Sequence, residues 1–297
     1  MAKFYANFPN ILYNNRILTD LGVRIKLRDS WLNDKTLYYN YILKDYDKPE
    51  HIAKKYYNDE TLHWVLLITN NIFDHNFDFP MKEIVFSKYI EDKYKDNHGI
   101  ESLRILSRGN GYVDGLYDDV PIKITNEEDL IDVGSGSTID VTVSGGIVSN
   151  IRTINYPGFG YDSNTRFTIE NQYLGGSGSG FDCEISDFTS GYQYAQRTPD
   201  PIYRYQKVIK YTYSSSSEER FFVIDKNSYI NLYDNYPSSK KTFLMNGEYV
   251  GYEVYRRTPE VTIFDHEFEM NENKRVIKIL KKDYIEQAKR ELMGLLT

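Results

Sequence analysis

A single cysteine, Cys183, stands among 297 residues, so no disulfide can form within the chain. That usage fits assembly in a reducing cytoplasm. No apolar run approaches the roughly 18 residues of a membrane helix, so no membrane segment is expected. The opening residues, Met1-Ala-Lys-Phe-Tyr-Ala-Asn-Phe, lack the apolar stretch and small-residue cleavage site of a secretion signal. Basic blocks are missing too. Lys and Arg number 36 against 43 Asp and Glu, a net charge of -7. Phosphates would repel such a chain, which argues against a nucleic-acid partner.

Chemical signatures are equally scarce. The five histidines, His51, His63, His75, His98 and His266, have no HExxH or Cys/His pairing around them, and no metal is expected. The Gly-x-Gly-Tyr stretches at 109–112 and 158–161 are followed by strand-like sequence, and no Gly-Lys-Ser/Thr is present. They read as turn glycines, not phosphate loops, and no cofactor is expected. Cys183 lies in Phe-Asp-Cys-Glu-Ile, where the flanking acids oppose thiolate formation. No Gly-x-Ser-x-Gly elbow accompanies the serines. The acids Glu127-Glu128-Asp129 and Asp118-Asp119 are the pairs a glycosidase would draw on. Acid-rich turns are common, and the expectation is a chain with no catalytic residue.

Aromatics are abundant, with 28 Tyr and 15 Phe. Tyrosine joins a large apolar ring to a polar tip and suits both strands and protein contact surfaces. Ile11-Leu12-Tyr13, Val23–Leu27 and Tyr38–Leu43 read as short strands. Pro49 opens a helix carrying Ile52, Ala53 and Tyr56. Asn58-Asp59 breaks and re-caps the chain before the apolar run Leu62–Ile68, which Asn70-Asn71 stops. A third helix is expected from Pro80, with Met81, Val85, Tyr89 and Ile90 as its stripe.

From Ser107 to about Ser190 the chain turns to Gly, Ser, Thr, Val and Ile, in short strands and tight turns. An internal echo pairs Gly109–Tyr112 with Gly158–Tyr161, and Gly134–Ser137 with Gly176–Ser179. Two imperfect copies of a small β unit are implied. Strands 208–213 and 220–224 then flank a serine tip. Arg275–Leu280 reads as a strand. Asp283 and Glu286 have capping-box spacing, ahead of a helical face of Ile285, Ala288, Leu292 and Leu295.

The stretch Pro49-Glu50-His51-Ile52-Ala53 … Tyr56 … Leu62-His63-Trp64-Val65-Leu66-Leu67-Ile68-Thr69-Asn70-Asn71 resembles a LysM module, a small βααβ unit. It resembles more closely the baseplate wedge family of T-even-type contractile phages. That family's C-terminal charged strand and last helix are echoed by Arg275–Leu280 and Asp283–Leu296. The likeness covers roughly 35–95 and 260–297, and the insert from 107 to 190 departs from the compact family pattern. It implies a non-enzymatic virion protein of the tail baseplate, made in the host cytoplasm. Such a subunit clamps neighbouring wedge proteins into a ring around the hub, in a multi-copy hetero-oligomer.

The expected architecture is α+β in three regions. Residues 1–106 hold the LysM-like helical unit at about 38–95, 107–190 form the β-rich insert, and 191–297 form a β-rich region with a C-terminal helix. Ile52, Tyr56, Leu62, Trp64, Leu66, Ile285 and Leu292 are the candidate packing and partner-docking residues. Trp64 could instead stack on a sugar; its place in an apolar run favours the core. The alternative function is a LysM-type, peptidoglycan-binding tail or cell-wall protein. An unrecognised tail hydrolase is a third possibility, against which the missing nucleophile and metal patterns count.

Overall fold

The computed structural model describes residues 8–20, 26–74, 78–126, 134–213, 217–234, 241–245, 248–255 and 260–294. In chain order the elements begin with β1 (Asn10–Tyr13), β2 (Arg16–Thr19), α1 (Asp29–Asn33), β3 (Tyr38–Ile42), α2 (Pro49–Tyr57), α3 (His63–Thr69) and α4 (Glu83–Tyr94). Next come β4 (Ile100–Tyr112), β5 (Gly115–Pro121), β6 (Lys123–Ile124), β7 (Ser135–Ser144), β8 (Ile147–Phe159), β9 (Arg166–Thr168), α5 (Asn171–Leu174) and β10 (Gly176–Phe188). The remainder is α6 (Gly191–Arg197), β11 (Gln206–Thr212), β12 (Ser217–Val223), α7 (Lys226–Asp234), β13 (Lys241–Met245), β14 (Glu248–Tyr255), α8 (Ile263–Asn273), β15 (Val276–Leu280) and α9 (Ile285–Gly294). The class is α+β, as the mixed periodicities predict. By backbone contact the chain divides into residues 1–83 with 269–297, and residues 84–268.

In the first unit, Pro49 takes the opening position of α2, where a missing N–H costs nothing. Asn58 ends the helix at φ 59°, a left-handed turn that asparagine tolerates. The Asp59 carboxylate then accepts the Thr61 N–H at 2.9 Å, and a 3₁₀ turn over Glu60–Leu62 leads into α3. α2 buries Ile52, Ala53 and Tyr57, and α3 buries Val65, Leu66 and Ile68. Both pack with Ile277, Ile279 and Leu280 of β15. β15 runs antiparallel to β3, from Val276↔Ile42 to Leu280↔Tyr38. The result is a strand–helix–helix–strand unit whose last strand comes from the far end of the chain.

Three local expectations are corrected in the structure. The third helix starts at Glu83, not Pro80, and buries Phe86 and Ile90 while Val85 stays exposed. The reason is Asn271. Its side chain accepts the Met81 N–H at 2.7 Å and donates to the Met81 carbonyl at 3.0 Å, engaging both backbone groups that a helix would use. At the C-terminus no capping box forms at Asp283. A 3₁₀ turn over Lys282–Tyr284 starts the spiral earlier, so Asp283 lies inside it. Finally, α2 buries Tyr57 more deeply than the expected Tyr56. Val23–Arg24–Ile25 of the expected second strand lies outside the described residues, and Lys26 and Leu27 are irregular.

The second unit contains two small sheets over one core, β4-β10-β9-β6 and β5-β7-β8. Every residue of that core falls between Ile100 and Phe188. The two ends of this stretch meet, with the Thr189 N–H donating to the Gly99 carbonyl at 2.8 Å. Gly99 is required there, because a Cβ would fall 2.8 Å from the Tyr194 ring. Ser190 and Gln193 form a capping box on α6. A third sheet, β12-β11-β14-β13, follows; β11 and β12, the two strands expected around the serine tip, pair antiparallel with Val208 opposite Phe221, and Ser214–Ser216 lie outside the described residues. In the same unit, Phe86 of α4 meets Phe264 and Phe268 of α8 edge-on at 5.7 and 5.9 Å.

Candidate assembly surface

The candidate docking residues fall on one body. Ile52, Leu66 and Ile285 are buried together in the first unit's core. Tyr56, Leu62 and Trp64 pack against that core from its rim, half-buried. Leu292 lies in α9, and its side chain is outside the described residues, as is Leu295. Ala288 is buried beside Ile285, as the helical spacing predicts.

One residue was read in the sequence only as a helix stop and has a larger role. Asn70 caps α3, and its side chain reaches β15. Oδ1 accepts the Lys278 N–H at 2.7 Å, and Nδ2 donates to the Lys278 carbonyl at 2.8 Å. Nδ2 also lies 2.8 Å from the Leu66 carbonyl. A primary amide presents one donor and one acceptor side by side, as a neighbouring strand does. Asn70 thereby extends the β15 ladder on the side away from β3. No short-range pattern reveals this, since the partner is 208 residues away.

Other residues carry this unit's exposed apolar surface. In the hairpin of β1 and β2, Leu12 and Ile17 face each other across the strands at 73 % and 75 % exposure. On the β3–β15 ladder the pair Ile42↔Val276 is similarly open, and Tyr46 is 85 % exposed. Sequence patterning misses them because their residue types match those of the core.

The chemistry-bearing side chains have structural partners. Asp118 pairs with Arg152. Asp119 accepts the Thr138 hydroxyl at 2.5 Å. Glu127, Glu128, Asp129 and His75 lie outside the described residues. Burial, reinforced by Asp182 and Glu184, pushes the Cys183 thiol up to about 12. His266 Nδ1 lies 2.9 Å from the buried Asp200, whose other oxygen accepts the Ile202 and Tyr203 N–H groups at 2.8 and 2.7 Å. This brace ties α8 to the 200–203 turn. Among the described residues no three potential metal ligands cluster, and no helix is long and apolar enough to cross a membrane. An open cleft of about 460 Å³ in the second unit is lined by Lys123, Glu170 and Tyr173, and its two charges pair with each other at 3.1 Å.

Against known proteins, one likeness emerges. Residues 30–129 match the family of phage base plate wedge protein 53. That span runs from α1 through β6 and takes in β3, α2 and α3, the elements that carry the exposed Ile42 and the Asn70 amide. It covers about a third of the chain. The match to the wedge family supports a structural part in a phage tail baseplate. No curated protein and no solved structure matches the chain.

Proposed function

We propose that this chain is a non-enzymatic structural subunit of a contractile phage tail baseplate that clamps neighbouring wedge proteins into a ring around the hub. The observation that carries the reading is the apolar surface of the first unit. Leu12, Ile17, Ile42, Tyr46 and Val276 are 62 to 85 % exposed. The cross-strand pairs Leu12↔Ile17 and Ile42↔Val276 each join two exposed apolar side chains, and contiguous apolar surface of this kind is what a partner covers. A lone two-stranded hairpin is marginal in water at best, which suits β1 and β2 to ordering against a partner. The wedge-family match supports other baseplate proteins as partners; in our reading these are wedge and hub-proximal proteins in a multi-copy hetero-oligomer. Each contact would bury on the order of 1,200–2,000 Å². The β3–α2–α3–β15 order supports a LysM-like unit acting as scaffold for these contacts.

The test is recovery of neighbouring baseplate proteins with the tagged chain from infected cells, followed by imaging of the complex. Leu12→Asp combined with Ile17→Asp should reduce that recovery while the melt of the isolated chain stays unchanged. Recovery of no baseplate protein by the parent chain would sink the proposal.

The LysM-type glycan reading is distinguished by Trp64→Ala. The half-buried ring packs on the core, so its loss should cost about 2 kcal/mol of stability. The parent chain should retain no chitin or peptidoglycan. An unchanged melt together with lost glycan binding would favour the carbohydrate reading.

A further inference from the structure

The two Gly-x-Gly-Tyr stretches occupy equivalent places in two matching ladders. β4 meets β10 through Arg104↔Glu184, Ile105↔Cys183, Ser107↔Asp182, Arg108↔Phe181 and Asn110↔Ser179. β8 meets β7 through Thr153↔Asp140, Ile154↔Ile139, Tyr156↔Thr138, Pro157↔Ser137 and Phe159↔Ser135. The second series is the first, moved 49 positions forward on one strand and 44 back on the other. One register shift within these series coincides too. Each ladder skips a residue at the same place, between Asp182 and Cys183 and between Thr138 and Ile139. A third strand lies beyond each: β9 sets Phe167 against Cys183, and β5 sets Val120 against Ile139. All four of those side chains are buried.

The tyrosines close both ladders in the same way. The Tyr112 ring lies over Gly178, where a Cβ would fall 2.2 Å from it; the Tyr161 ring lies over Gly134, at 2.3 Å. The Phe181 N–H donates to the Tyr112 hydroxyl oxygen at 3.2 Å, and the Ser137 N–H to that of Tyr161 at 3.2 Å. Gly180 and Gly136, at φ +82° and +88°, turn the strands beneath the rings. The structural counterpart of Gly134–Ser137 is therefore Gly178–Phe181, two residues beyond the Gly176–Ser179 match seen in the sequence.

Chain order and pairing disagree in an informative way. In sequence, β4, β5 and β7 form a first set, with the two-residue β6 between β5 and β7, and β8, β9 and β10 form a second; β6 adds a short edge strand to β9. In space β4 completes the sheet of β9 and β10, while β8 completes the sheet of β5 and β7. We infer that residues 100–188 are two tandem copies of one three-stranded unit that have exchanged their tyrosine strands, so that each Tyr/Gly-Ser-Gly clasp joins one copy to the other. Tyr112 and Tyr161 then have one role, and neither copy has a complete sheet without its twin.

The experiment uses the full chain with Cys183→Val to remove the native thiol. Asn110, Ser135, Phe159 and Ser179 are all exposed, so cysteines there leave the core intact. Asn110→Cys with Ser179→Cys, and Ser135→Cys with Phe159→Cys, should form intrachain disulfides on mild oxidation, read by peptide mapping of the monomer. Asn110→Cys with Ser135→Cys, and Phe159→Cys with Ser179→Cys, join strands within a copy and should stay reduced. The opposite pattern, or no cross-link in the first two, overturns the exchange. In parallel, Tyr112→Phe and Tyr161→Phe should each lower the melting temperature, by similar amounts. A fall in only one of them overturns the equivalence of the two clasps.

Discussion

Asn70 shows how much a single side chain can decide. Its amide meets both backbone groups of Lys278 and also the Leu66 carbonyl. Each such bond is worth roughly 0.5–1.5 kcal/mol net. Asn70→Ala should therefore destabilise the first unit by about 1–3 kcal/mol, measured by denaturant melts. Asn70→Asp should not rescue it, because a carboxylate would face the Lys278 carbonyl without a proton to give. At Cys183 the expected outcome concerns reactivity. With its thiol raised to about 12 by burial first and neighbouring acids second, the folded protein should resist thiol reagents at pH 8. Labelling should appear only as denaturant exposes β10. Rapid labelling of the native chain would contradict the burial. The sequence revealed the adverse acids beside Cys183 but not the larger effect, burial, which depends on its strand lying between β4, where Ile105 is its partner, and β9, where Phe167 is.

Among the elements, helices were more legible than strand partners. The α2 and α3 boundaries follow from Pro49, Asn58, Asp59 and Asn70, because caps and breakers act within a turn. The stripe of α4 was misplaced because its start is set by Asn271, far along the chain. Strand pairing is a long-range choice, and period-two patterning marks a strand without naming its neighbour. The repeat shows this sharply. Residues 176–180 read Gly-Ser-Gly-Ser-Gly, which contains two overlapping Gly-Ser-Gly frames. Only the tyrosine ring above Gly178 selects between them. The assembly of β4 to β10 also carries a prediction. Its core is self-contained and its ends lie within a hydrogen bond of each other. Replacing residues 100–188 by a short flexible linker should leave the remaining chain with a cooperative melt. Loss of that transition would mean the stretch is integral to its surroundings.

For the whole chain, the family match covers residues 30–129, and the structure pairs β3 of that stretch with elements near residue 280. β3 and β15 form one ladder, and α9 adds Ile285 and Ala288 to the same core. Truncation after Asn273 should therefore abolish the first unit's melt while the transition of the 100–188 core persists. Survival of both transitions would show that α2 and α3 fold without β15. The exposed apolar residues were the least legible feature, because Leu12 and Ile42 look like core residues until their surroundings are known.

The late position of β15 has a consequence for synthesis. A ribosome releases residues 38–70 long before it makes 276–280, and loops of that length close slowly. During that interval α2 and α3 have no strand to cover their apolar faces. The contiguous stretch from 100 to 188 can complete its own core first. The expected order of folding therefore differs from the order of translation: the 100–188 core can mature before residues 38–70 meet β15. The first unit can therefore complete its core only after residues 276–280 have emerged.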